Sequence, residues 1–378
     1  MRVILITHGK VNPNGHNGIS RVVHNLNKYE KQIGIESEIW SVVDGIKEET
    51  TIKRENGVQV ECFPRIKNVL LTSSEICKAI EEEKESIDLV HFHMPWMLDK
   101  LAIARKCRKC NIPYVVTGHS AYSASQKQSW KMKLGKRWEI PFLNKAAAVH
   151  AITREESSEF KKFGIKSDIF VIPNSIEDNS INIKRTKSDN EVINFLFMGE
   201  LREQKNLSAL IQAVSSLDEK YRKKIKMYIV GPDSRGNMKK LKDLADTLQV
   251  EDIFEFTGGV FGEERNRYFE IADVYITPSR SEVISLSAIE AMSYGIPQIS
   301  TRQSDVSYFY NENFFVMCEN YAQDIGRAIQ EMIDRKDEWE EMSMNARKTY
   351  EKYFKWESNI VRFQNEYQKI IDKVNKKL

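Results

Sequence analysis

Two glutamates eight residues apart, Glu282 and Glu290, stand in the stretch of this 378-residue chain whose residue types and order best suit chemistry. The stretch reads Pro278-Ser-Arg-Ser-Glu282-Val-Ile-Ser-Leu-Ser-Ala-Ile-Glu290-Ala-Met-Ser-Tyr-Gly295-Ile-Pro297. Its pattern predicts a strand ending at Thr277, a loop carrying Glu282, and a helix from about Leu286 with Glu290 in its second turn. The first N–H groups of a helix lack intrahelical acceptors, so the amides around Ser285, Leu286 and Ser287 would suit a phosphate. A carboxylate one turn in can accept both hydroxyls of a ribose. Gly295-Ile-Pro297 is a helix stop. Paired carboxylates alone are ordinary on a surface helix; strand end, loop, helix start and helix stop together are not.

The surrounding elements must hold that stretch in place. Short apolar runs alternate with helical patterns: strands at 3–6, 38–43, 89–92, 114–117, 148–152 and 170–172, with helices at 19–29, 76–84 and 98–110 between them. This alternation predicts a parallel sheet covered on both faces. Residues 177–191 (EDNSINIKRTKSDNE) are polar and aperiodic, which reads as a linker. The rhythm then restarts, with strands at 194–198, 226–230, 253–257, 274–277 and 298–300. Helices follow the same pattern at 207–217, 238–248, 263–271 and 286–294, and residues 339–378 form a charged helical end. The expected fold class is α/β, two doubly wound, Rossmann-like domains facing a cleft. The expected boundaries are 1–176, a linker at 177–191, 192–350, and a C-terminal helix at 351–378 that returns across the junction.

Composition agrees with a two-domain globular protein: 41% hydrophobic and 29% charged residues. The opening MRVILIT is a short buried strand rather than a signal-peptide core, and no run nears the ~20 apolar residues of a membrane span. Cytoplasmic location is the expectation. The net charge of +3 is uneven: residues 1–175 hold 27 Lys/Arg against 20 Asp/Glu, and residues 176–378 hold 30 against 34. A basic first half suits an anionic partner such as a membrane surface, though scattered surface charge accounts for it equally. Five cysteines, an odd number, argue against a disulfide framework. Cys107 and Cys110 have no second pair at metal-ligand spacing and read as helix-face thiols. Residues 127–138 combine five basic residues with Trp130 and Trp138. That mixture suits an anionic membrane surface, and a solvated loop helix with one buried face suits it as well.

The 282–290 segment resembles the E-x7-E signature of glycosyltransferase family 4, the retaining GT-B enzymes. Further matches follow in order: Asn17-Gly18-Ile-Ser-Arg21, Thr117-Gly-His119, Val171-Ile-Pro173-Asn174-Ser175, Met198-Gly199-Glu-Leu-Arg202-Glu-Gln-Lys205-Asn206, Tyr228-Ile-Val-Gly231, Phe256-Thr-Gly258, Ala272-Asp273-Val274 and Tyr353-Phe-Lys-Trp356. Each is weak alone, and their order over some 350 residues carries the resemblance. It implies that Glu290 holds the donor ribose and that Glu282 lies near the donor sugar. Amides of Ile284, Ser285, Leu286 and Ser287 would bind sugar and diphosphate. Lys205, beside Gly199 and Arg202, would neutralise the leaving diphosphate. Gly18 would let the first loop approach the phosphates, His119 would line the reaction centre, and Gly258 to Val260 would lie beside the nucleobase. The catalytic set so implied is His119, Glu282 and Lys205, in a front-face reaction where donor phosphate takes the acceptor proton.

Departures qualify that picture. Glu200 stands where the family has a second basic residue, and a carboxylate aimed at the diphosphate would repel it. Val283, Ile284 and Ser285 replace Gly-Phe-Gly, and Asn17 and Ser175 replace glycines. No D-x-D stands beside a strand, so neither a metal ion nor another cofactor is expected beyond the UDP- or GDP-sugar donor. The expected activity is sugar transfer to a saccharide or lipid-linked glycan in surface polysaccharide synthesis, with no nucleic acid partner. Peripheral attachment to the inner membrane face through 127–138 stays open, as does a nucleotide-sugar-binding relative without transferase activity.

Overall fold

Strands buried on both faces carry the interior, as their continuous apolar runs require. In β1 (Arg2–His8) every residue from Val3 to Thr7 is buried, and in β12 (Val274–Thr277) all four are. The computed structural model describes residues 1–9, 18–53, 58–65, 74–119, 121–122, 130–178, 180, 192–282, 285–304 and 313–376, with side chains of residues 130–133 set aside. These divide into two compact units, Met1–Ser175 with Trp356–Leu378, and Ile176–Lys355.

The first unit holds β1, α1 (Gly18–Gln32), β2 (Glu36–Val43), β3 (Thr50–Lys53), β4 (Gln59–Pro64), α2 (Glu75–Glu82), β5 (Leu89–Phe92) and α3 (Asp99–Lys109). It continues with β6 (Tyr114–Thr117), α4 (Trp130–Leu143), β7 (Ala148–Ala151), α5 (Arg154–Phe163) and β8 (Ile169–Val171). Its described strands run β3-β4-β2-β1-β5-β6-β7-β8, and chain order reverses between β1 and β5. Among the described strands of this unit only β3 is antiparallel to its neighbour. The pattern-based reading contained neither β3 nor β4: Thr50-Thr-Ile-Lys53 is a largely exposed edge strand with no apolar run to reveal it.

The second unit repeats the plan. It comprises β9 (Ile193–Met198), α6 (Leu207–Ser215), α7 (Glu219–Arg222), β10 (Ile225–Val230), α8 (Asn237–Thr247), β11 (Phe254–Gly258), α9 (Gly262–Ile271), β12 and α10 (Leu286–Ser293). After them come β13 (Gln298–Thr301), β14 (Phe315–Cys318), α11 (Ala322–Asp334) and α12 (Trp339–Tyr353). The order β11-β10-β9-β12-β13-β14 reverses between β9 and β12, with every recorded pairing parallel.

The helical end expected at 339–378 is broken at Phe354, and its last helix, α13 (Trp356–Asn375), belongs to the first unit. There Trp356, Ile360, Phe363 and Tyr367 join the core beneath β1 and β2, and Trp356 stacks on Tyr29 of α1 at 5.2 Å. The start of the stretch read as a linker is tied down within the second unit. Arg347 of α12 pairs with Asp178, and its Nη1 donates at 2.6 Å to the Ser293 carbonyl at the end of α10.

Candidate functional site

In doubly wound sheets, ligands bind beyond the carboxyl ends of the strands where chain order reverses. In the second unit that point lies between β9 and β12, and the loops that leave them are bonded together. Asn206, in the left-handed conformation (φ 61°) and 2% exposed, sends its amide to the carbonyls of Pro278 (3.0 Å) and Asn320 (2.8 Å). Arg280 returns a hydrogen bond from Nε to Asn206 Oδ1 at 2.9 Å. This clamp fixes the short turn Glu203–Lys205 against the loop after β12, and the Lys205 ammonium forms an ion pair with Glu282. Two residues assigned to the donor by motif are therefore adjacent in space, 77 positions apart in sequence.

Ser285 stands at the N-cap of helix α10, and its side chain makes no capping bond. The Ser285 hydroxyl is instead 2.9 Å from that of Ser287, which donates to the Met198 carbonyl at 2.6 Å. Buried Tyr275 donates to Ser287 Oγ at 2.9 Å. These bonds register the start of α10 on the end of β9, while the first-turn amides of Leu286 and Ser287 have no acceptor within the helix. The helix stops in a Schellman pair, with Ile296 N–H to Ala291 O at 3.0 Å and Gly295 N–H to Met292 O at 2.9 Å. Glu290 is fully buried and ion-paired with Arg265 of α9. Burial works against the Arg265 charge, but the Glu290 carboxylate outweighs it and raises the guanidinium pKa. A diol reaching Glu290 must therefore share it with Arg265.

Glu200, the expected source of repulsion, is already spoken for. Its carboxylate pairs with Arg202 and accepts from Ser234, and hydrogen bonding to Arg202 leads in lowering its pKa. Arg202 is accordingly aimed at Glu200. Close approach explains the glycine at 231: a Cβ there would stand 1.9 Å from the Gly199 carbonyl oxygen, so the loops after β9 and β10 could not meet. Gly258 (φ 79°) ends β11, with its carbonyl accepting from Gly231 N–H at 2.8 Å, and half-buried Val260 follows. Ile284 and Val283 lie outside the described residues.

In the first unit the reversal point lies between β1 and β5. Gly18 opens α1 there, following β1 in the chain. Across β6, the turn to His119 passes so close to α5 that a Cβ on Gly118 would stand 2.4 Å from the Phe160 ring. His119 has φ 47°, and its Nε2 lies 2.9 Å from Nδ1 of His93, the residue after β5. Burial lowers the pKa of both histidines, that of His119 to about 3, so both rings are neutral.

Behind them runs a chain of buried hydrogen bonds whose direction is determined at one end. The Ile172 carbonyl can only accept, so His150 Nε2 donates to it (2.7 Å) and neutral His150 Nδ1 accepts from Thr117 (2.9 Å). The Thr117 oxygen then accepts from His91 Nε2 (2.6 Å), and His91 Nδ1 accepts from Tyr367 of α13 (2.7 Å). The phenol oxygen meets Glu30 of α1, whose carboxyl is pushed up to about 8 by burial. Glu30 is thus a neutral acid at pH 7, able to donate to Tyr367.

Residues 16–180 match the family described as Glycosyltransferase Family 4, and residues 178–349 match Glycosyl transferases group 1. The chain belongs to glycosyltransferase family 4. This family 4 glycosyltransferase is 25% identical over 296 residues to alpha-monoglucosyldiacylglycerol synthase of Streptococcus pneumoniae, covering 72% of this chain and 65% of that protein. It is 20% identical over 250 residues to a phosphatidylinositol N-acetylglucosaminyltransferase subunit of Arabidopsis thaliana, covering 66% of this chain and 55% of that protein. The chain thus spans less than two thirds of the length of either relative. Among solved structures it is similar to sucrose-phosphate synthase of Thermosynechococcus elongatus (TM-score 0.77, 17% identity, 99% of this chain and 100% of that one). It is also similar to Anabaena HepE in complex with UDP-glucose (TM-score 0.71, 15% identity, 99% of each chain). The fold is therefore GT-B.

Three residues of this glycosyltransferase escaped the sequence reading. Asn206 was visible in its motif without a role. Arg265 lies in the ordinary charged run Glu263-Glu-Arg-Asn-Arg267, which signals nothing. His93 carries no marker until β5 and β6 are paired side by side.

Proposed function

We propose that this protein is a retaining glycosyltransferase that moves a sugar from a UDP- or GDP-sugar to a saccharide or lipid-linked glycan acceptor, in surface polysaccharide synthesis. The observation that carries the reading is the meeting of Lys205, Glu282 and the uncapped start of α10 at the reversal point of the second unit. A cation and free amides suit a diphosphate, and the charge leaving with it grows as the sugar bond breaks. Lys205 exchanges Glu282 for phosphate oxygen, and Glu282 is released toward sugar hydroxyls. Glu290 takes the ribose, and Gly258 and Val260 flank the base. Gly18 serves the diphosphate and His119 the transferred sugar. In the front-face route a donor phosphate oxygen takes the acceptor proton, so no protein base is required.

Calorimetry against UDP, GDP and ADP tests the donor assignment. Glu290→Ala should lose most nucleotide affinity and turnover; wild-type values in that variant would refute the carried-over site. The alternative, a binding protein without transferase activity, drew partly on Glu200, and the pairing of Glu200 with Arg202 removes that argument. For the acceptor we propose approach from an anionic membrane through residues 127–138. Leu134 is 43% exposed at the described end of that segment and Arg137 is exposed beside it. Failure to float with anionic liposomes at low salt would sink the membrane reading. Among the described residues no helix is long and apolar enough to cross a membrane.

A further inference from the structure

His93 sits where the first unit's chain order reverses, 3% exposed, its backbone N–H bonded to the Ile6 carbonyl of β1 at 2.7 Å. Its ring packs against His91 (centroids 4.2 Å) on one side and His119 (5.2 Å) on the other. The single ring-to-ring hydrogen bond, His93 Nδ1 to His119 Nε2 at 2.9 Å, admits two proton placements. If His119 Nε2 were the donor, neutral His93 would carry its proton on Nε2. That nitrogen is buried with no hydrogen-bond partner among the described residues, so it would be an orphaned N–H. If His93 Nδ1 is the donor, the same nitrogen is a bare acceptor. Buried orphan donors are rarer than under-satisfied acceptors, so the second placement is favoured.

His91 cannot offer His93 another arrangement, because both its ring nitrogens are committed to Tyr367 and Thr117. His119 therefore accepts at Nε2 and, being neutral, holds its one proton on Nδ1.

We propose that His93 is a positioning residue for His119: by donating from Nδ1 it holds His119 in the Nδ1–H tautomer, so that His119 offers a hydrogen-bond donor to the transferred sugar. The inference rests on the proposed role of His119 and adds to it a direction. His119 can polarise or orient a sugar oxygen, and it has no accessible lone pair with which to act as a base. This agrees with a reaction in which donor phosphate takes the acceptor proton.

The test begins with the ligand-free wild-type protein labelled with 15N-histidine, since two-bond correlation spectra distinguish protonated from bare ring nitrogens. His119 should show a protonated Nδ1 and a bare Nε2; the reverse pattern overturns the proposal without any variant. In His93→Phe, which keeps a ring against His91 but has no donor, His119 should become a mixture of tautomers, and an unchanged tautomer also overturns it. With UDP-glucose as donor probe, His93→Phe should lower turnover by about ten-fold, the lower end of the loss found when a metal-bound histidine is deprived of its outer partner. Its UDP affinity should stay within about two-fold, because the change acts after binding. His119→Ala should be at least as slow, and adding His93→Phe to it should cost nothing more; a further loss in the double variant overturns the positioning role alone. If His119→Ala turns over like wild type while the spectra match expectation, the assigned role of His119 fails and the positioning role falls with it, leaving only a structural pair.

Discussion

The two reversal points of this molecule solve the same structural problem with opposite electrostatics. In the first unit the loops after β5 and β6 bring together neutral, buried groups: His93 and His119, backed by the chain from His150 to Glu30. In the second unit the corresponding loops carry full charges in pairs of partly exposed residues, Lys205 with Glu282 and Arg202 with Glu200, while the helices behind them hold buried Glu290 against Arg265. A neutral network is costly to rearrange, since each displaced buried group loses a partner. An ion pair of partly exposed residues is cheaply exchanged for another ion of the same sign. The contrast assigns rigidity to one face and ligand exchange to the other.

The sharpest way to break the contrast is Lys205→Met. It removes the exchangeable cation, and a charged hydrogen bond to phosphate is worth about 1.5–3 kcal/mol, so UDP affinity should fall about 10- to 100-fold in calorimetry. An unchanged affinity would mean that the pair with Glu282 is only structural. Tyr367→Phe should show the opposite behaviour. It takes the hydroxyl from between His91 and Glu30, so chemical denaturation should register a loss of about 1–3 kcal/mol while nucleotide affinity holds.

The pH dependence of stability isolates Glu30. Its carboxyl is raised from 4.5 to about 8, so between those values the unfolded chain has released a proton that the folded chain retains. Stability from this group is full below about 4.5, declines as pH rises, and is lost above about 8. The depressed histidines have the reverse sign: as pH falls below about 6.5 the unfolded rings charge first, and stability drops toward acid. Between about 6.5 and 8 the Glu30 slope amounts to about 2 kcal/mol, and because the tails of the histidine titrations run against it there, it is read as the difference between wild type and a variant that keeps the histidines. Glu30→Gln should flatten it in denaturation midpoints. The smallest expected effect belongs to Glu200→Gln, which should alter UDP affinity by less than about two-fold: it leaves Arg202 without its partner, but both side chains are exposed enough for water to screen the change.

Much of this organisation was legible because buried parallel strands leave unmistakable apolar runs. The runs at 3–6, 89–92 and 274–277 all became strands, and beyond Thr277 the described residues include the expected helix, Leu286–Ser293. What escaped lacked such a run or depended on distant partners. β3 is an exposed edge strand, and β14 and α11 fall in a stretch the pattern did not resolve. α5 is announced in the sequence by Thr153-Arg-Glu-Glu156: the Thr153 hydroxyl accepts from Glu156 N–H at 3.0 Å as an N-cap, and the Glu156 carboxylate accepts from Ile152 N–H at 2.6 Å, one residue before the cap. For the site, residue type showed which groups could act, but the partners that restrain them did not follow from spacing. Arg265 on Glu290 and His93 on His119 are contacts between separate elements, set only when the sheet order is known.

The seating of α13 has a consequence for how the protein comes into being. Ribosomes deliver the chain from its first residue at about 5–20 residues per second, and domains tend to fold as they emerge. The core on one face of the sheet made first cannot be closed then, because Trp356, Ile360, Phe363 and Tyr367 belong to it and follow only after the whole stretch from Ile176 to Lys355. The second unit, one continuous stretch from Ile176 to Lys355, meets no such delay. For about 10–40 seconds the nascent first sheet must wait with an apolar face uncovered while the later unit is built, the kind of surface that makes partly folded chains aggregate.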